Sequence, residues 1–106
     1  STLFPYTTLF RSPYRGLLDA PDLDTKVRLA VEINRLIDAR KCTQVDAAAL
    51  LGIGQPKVSA LRHYKLDGFS VERLMSFLLS LGRDLEIRIR PGRSVGSVGR
   101  IVISAG

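Results

Sequence analysis

Twenty residues, Thr43 to Arg62, constrain this chain more than any others: TQVDAAALLGIGQPKVSALR. They spell two short helices joined by a glycine turn. Thr43 is a good N-cap, and Asp46 puts a carboxylate in the first turn, near the positive helix end. Ala47 to Leu51 are all good helix formers. Gly52 then stops the helix, because the residue past a C-cap often needs positive φ. Ile53 and Gly54 leave room for one tight turn. Gln55 and Pro56 open the next helix, where proline is tolerated because first-turn N–H groups lack helical partners. Val58 and Leu61 share one face, with Gln55, Lys57, Ser59 and Arg62 on the other side. Helices joined so tightly must touch: Ala48 is the small contact, Gly52 the turn, and Val58 and Leu61 the buried side.

Gln44, Ala48, Gly52, Val58 and Leu61 agree in type and spacing with the helix-turn-helix of the phage repressor and Cro (Xre-type) family, which this stretch resembles. LGIGQPKVSAL is close to that family's turn and recognition helix. The resemblance implies a second helix that enters a DNA major groove with its N-terminus leading. An ordinary helical hairpin with no ligand is the competing reading. Gly54 departs from the family, where Ser or Thr is common; glycine caps adequately. His63-Tyr64 departs again, where Arg-Gly is usual, and a tyrosine at a left-handed position is unfavourable.

The chain is long enough for one small domain, at 106 residues. Sixteen Lys and Arg against ten Asp and Glu give +6, with a pI near 10.1. That balance suits a polyanion or an acidic protein. One cysteine, Cys42, excludes an internal disulfide and fits a reduced, cytoplasmic setting. One histidine, His63, with one cysteine cannot make a four-ligand zinc site. No nucleophile elbow, phosphate loop or triad pattern appears, so neither an enzyme nor a cofactor is expected. No apolar run approaches membrane-spanning length.

Ser1 to Ser12 do not match the rest of the chain in character. They hold five Ser or Thr, two Phe and one Tyr, with a single charge at Arg11. The stretch resembles a translated sequencing adapter and is read as a non-native leader; a real aromatic strand is the alternative. Residues 13–24 form a lead-in with turn residues, and Asp22 or Asp24 is expected to cap the next helix. Thr25 to Lys41 reads as a long helix, with Leu29, Ile33, Leu36 and Ile37 as its apolar stripe. Arg40 and Lys41 suit its negative end.

After the motif, Ser70 is expected to cap a helix through Leu81, with Val71, Leu74, Met75, Leu78 and Leu81 on one stripe. Phe77 and Leu79 lie off that stripe, so the helix is either central to the core or meets a partner chain; the partner surface is preferred, because a domain this small has few elements to cover both faces. Leu85, Ile87 and Ile89 then alternate with Glu86, Arg88 and Arg90, as in a half-buried strand. Residues 93–99 are rich in Gly, Ser and Arg, and Arg100 to Ser104 are suited to a second strand. Two strands alone are marginal, so residues 83–106 are read as a β arm suited to dimerisation through Leu85, Ile87 and Ile89. The expected fold is mainly α: a four- to five-helix repressor-like domain over residues 25–82, with a short C-terminal β extension.

Thr25 to Pro91 also resembles small bacterial repressor-type proteins, many of them antitoxins, in which a GFSVERLM helix precedes a LGRDLEIRIRP strand. The resemblance implies operator binding by a homodimer and, often, a toxin partner. It also assigns roles. Gln55 is expected to read adenine with both ends of its amide. Pro56, Lys57 and Ser59 are further candidate base contacts. Gln44 braces the recognition helix and touches phosphate, with Thr43, Arg62, His63 and Lys65 as other backbone contacts. A neutraliser of a toxin, with secondary DNA binding, is the alternative function.

Overall fold

The computed structural model describes residues 19–92, 96 and 98–105, with side chains from Leu23 onward. The readings of Ser1 to Ser12 and of residues 13–18 lie outside the described residues.

The described residues form four helices. Helix α1 spans Asp19–Ala39, α2 Gln44–Leu51, α3 Gln55–Arg62 and α4 Val71–Ser80. Helix α1 begins earlier than the sequence suggests. Asp22 and Asp24 lie inside it rather than capping it, and Pro21 falls in its first turn, where a missing N–H costs nothing. It also ends earlier: Arg40 and Lys41 lie past its last residue.

All four described helices stop in the same way. A residue in the left-handed region follows each one: Lys41 (φ 54°), Gly52 (71°), Tyr64 (59°) and Gly82 (81°). The next N–H reaches back five residues to a carbonyl otherwise left over at the helix end. Cys42 donates to Ile37 at 3.2 Å, Ile53 to Ala48 at 3.0 Å, Lys65 to Ala60 at 2.9 Å and Arg83 to Leu78 at 3.0 Å. Glycine adopts this φ without strain at two of the four stops. Lysine and tyrosine adopt it against a steric cost.

The long α1 packs mainly on α4, and α2 on α3. The core collects Leu29, Ile33 and Ile37 of α1, Leu51 of α2, Val58 and Leu61 of α3, and Leu74 and Leu78 of α4. Phe77 corrects the sequence reading. It is 1 % exposed, so it belongs to the core and not to a partner surface. Its ring meets that of Phe69 edge-on, with centroids 5.9 Å apart. The apolar stripe of α4 runs through Leu74, Phe77, Leu78 and Leu81, and Leu79 is the side chain turned out, at 56 % exposure.

The C-terminal extension departs from expectation as well. No strand forms among described residues 83–92 or 98–105. The alternating segment has no regular secondary structure, with Ile87 59 % and Ile89 66 % exposed. A strand is defined by its ladder, and the described part of one chain supplies no neighbour to pair with. Farther on, Ile103 turns back and packs partly against the core.

Candidate nucleic-acid interface

The motif begins at a capping box. The Thr43 hydroxyl accepts from the Asp46 N–H at 3.1 Å, and the Thr43 N–H donates to the Asp46 carboxylate at 3.2 Å. This fixes Gln44 as the first residue of α2. Its side-chain amide then donates to the main-chain carbonyl of Gln55 at 2.8 Å. The leading ends of α2 and α3 are thereby tied side by side. The bond goes to the Gln55 backbone, so the Gln55 side chain stays exposed at the tip of α3 and makes no hydrogen bond among the described residues.

Helix α3 opens at Gly54, whose φ of −77° is open to any residue, and no side chain caps it. Pro56 follows in the first turn. Val58 and Leu61 are buried as expected, with Ala48 and Ser59 half-buried. Gln55 and Pro56 are exposed. They share the outer side of α3 with Ser59, since residues three and four apart are neighbours on a helix.

The cations of the motif make contacts within the chain that the sequence does not show. The ammonium of Lys57 donates to the Gly68 carbonyl at 3.0 Å and lies 4.8 Å from the centroid of the Phe69 ring. It is turned onto the loop after α3, away from Gln55. Arg62 is also committed: its guanidinium donates to the Asn34 carbonyl at 3.2 Å, to the Asn34 side-chain oxygen at 3.1 Å, and to Asp38. His63 is exposed, and its Nδ1 donates to the Ser59 carbonyl at 2.8 Å. Because a carbonyl only accepts, Nδ1 carries the proton and Nε2 is left to face solvent. Lys65 is exposed beside it.

Asn34 escaped the sequence reading. It is 6 % exposed, and both ends of its amide are used, on Leu61 and on Arg62. A signal was available: Asn34 stands four residues after Ala30 and three before Ile37, a polar residue in the apolar row. At the other end of α1, Arg40 donates to the Leu81 carbonyl at 2.6 Å and so closes the end of α4. Leu85, Ile87 and Ile89 stay together on the exposed extension. No described helix is long and apolar enough to cross a membrane.

A family model described as a helix-turn-helix domain matches residues 16–90. A solved structure named as an XRE family transcriptional regulator is similar to this chain at 52 % identity, with a TM-score of 0.77. The match covers 83 % of this chain and 99 % of that one. No curated protein matches.

Proposed function

The chain belongs to the Xre-type helix-turn-helix proteins, DNA-binding transcriptional regulators, and from that premise we propose that it is a repressor that binds an operator as a homodimer, autoregulating its own genes as antitoxins do. The observation that carries this reading is the exposed Gln55 at the tip of α3, with Gln44 holding the Gln55 backbone at 2.8 Å. A glutamine so presented can bond N6 and N7 of adenine in the major groove. Pro56 offers its ring to a thymine methyl, and Ser59 lies one turn behind. Thr43, His63 and Lys65 flank the groove as backbone contacts. Lys57 joins them once it leaves Gly68.

One such domain carries too few base contacts for a tight operator, since each good bidentate pair discriminates by about 1–3 kcal/mol. A second copy supplies the rest on a half-site roughly one helical turn away. The exposed residues Leu85, Ile87 and Ile89 suit that pairing, because their apolar side chains have no cover among the described residues of one chain. The same exposed segment, with Leu79, favours a second reading: a surface that neutralises a toxin protein, with DNA binding secondary.

The test is selection of bound duplexes from a random pool, followed by Gln55→Ala. An enriched inverted repeat with half-sites about one turn apart supports the dimeric repressor. Gln55→Ala then relaxes preference at one base position and leaves the salt slope unchanged. Uniform weakening over all sequences rejects base readout by Gln55. Absence of any enrichment, with binding lost as salt rises, leaves only a basic surface.

A further inference from the structure

Helix α3 is held at both ends, and the two fixings differ. At the leading end, Gln44 holds the Gln55 carbonyl. At the trailing end, Asn34 donates to the Leu61 carbonyl at 3.1 Å, and Arg62 returns two hydrogen bonds to Asn34 and one to Asp38. Asn34 and Asp38 stand one turn apart on α1. The planar fork of Arg62 therefore spans a full turn of the longest helix, with three hydrogen bonds drawn from its five N–H groups committed to α1. An α-helix of eight residues is only about 12 Å long. A change of roll or tilt at Arg62 is thus passed along the whole of α3 to Gln55.

We propose that Arg62 is a positioning residue for base readout, acting through Asn34 and Asp38, and not a contact to the DNA backbone. It sets the angle at which α3 presents Gln55, so it determines specificity without touching DNA. This rests on the operator-binding reading above. Three roles for Arg62 lead to different results. A phosphate contact contributes to specific and non-specific binding alike, and its removal lowers the salt slope by about 0.9. A merely structural residue lowers stability and leaves the ratio of specific to non-specific affinity where it was. A positioning residue lowers that ratio and leaves the slope alone.

The experiment measures binding of the full chain to its selected operator and to a scrambled duplex, over a series of salt concentrations. Thermal melts establish that each variant is folded at the assay temperature. Arg62→Lys keeps the charge and loses the fork. It is expected to lower the specificity ratio roughly tenfold. Asp38→Ala removes a negative charge, so simple attraction would strengthen all DNA binding, yet the ratio is expected to fall, by less than in Arg62→Lys. Arg62→Ala is expected to keep the wild-type salt slope. A wild-type ratio in both Arg62→Lys and Asp38→Ala overturns the proposal. So does a slope lower by about 0.9 in Arg62→Ala with both affinities equally weakened. If the unaltered chain selects no operator, the repressor reading fails first; if it selects one and the variants keep the ratio, this proposal alone fails.

Discussion

The side-chain amide of Asn34 donates to the main-chain carbonyl of Leu61 at 3.1 Å, joining α1 to the end of α3. Leu61 lies in the last turn of its helix, where a carbonyl has no i+4 partner within the helix. Asn34 is the buried member of the group, while Asp38 is exposed. The buried hydrogen bonds therefore dominate the energetics, since an exposed ion pair contributes about 0–1 kcal/mol.

Asn34→Ala removes the donor to Leu61 and one acceptor of Arg62 together. The Leu61 carbonyl keeps the Tyr64 N–H at 3.2 Å, and Arg62 keeps the Asn34 main-chain oxygen and Asp38, so the cost is that of lost hydrogen bonds, about 0.5–1.5 kcal/mol each. Urea unfolding monitored by circular dichroism should show a lower midpoint with an unchanged slope. A midpoint equal to that of the unaltered chain would show that water replaces the amide without loss.

Tyr64 has a φ of 59°, just past the last turn of α3. The left-handed region costs a residue with a Cβ about 1–2 kcal/mol, and glycine gives back part of that gain through its larger unfolded-state entropy. Tyr64→Gly is expected to stabilise the chain by about 0.5–1 kcal/mol, read as a raised melting temperature. A fall would mean that contacts of the tyrosine ring outweigh the backbone strain.

Phe77 and Leu79 are two residues apart and have opposite surroundings. Phe77→Ala empties a site shared with Phe69 and is expected to cost about 3–5 kcal/mol, a large part of the stability of so small a domain. Leu79→Ser touches only an exposed position and should stay within about 0.5 kcal/mol. Thermal melts at low protein concentration separate the two. A large loss in Leu79→Ser under those conditions would show that a partner already covers it.

Much of this was legible in the sequence because it is encoded locally. The Thr43 cap, the Gly52 stop and the buried pair Val58 and Leu61 all act within a few residues. Even the strained Tyr64 follows from its place just past the helix end. The side chains whose partners within the chain the sequence does not show take their positions from distant residues. Lys57 is drawn to Gly68 across 11 residues, and Arg62 to Asn34 across 28. Phe77 stands three residues after Leu74 and four before Leu81, so its place on the buried stripe was readable from spacing, and Leu79 falls outside that set. The residues from Leu85 to Ile89 have the pattern of a strand, but pattern sets which side chains share a face and not whether a neighbouring strand exists.

The four left-handed stops bear on how the chain reaches its fold. Each is closed by a hydrogen bond between residues five apart, so each helix boundary is encoded locally, while helices of eight to ten residues still need the core to persist. Chains dominated by such local contacts have little loop-closure entropy to overcome and reach the native state in about microseconds to milliseconds. The contacts that span the greatest length of chain at the motif are those of Asn34 with Leu61 and Arg62, 27 and 28 residues apart, and they carry the loop-closure cost that the stops do not.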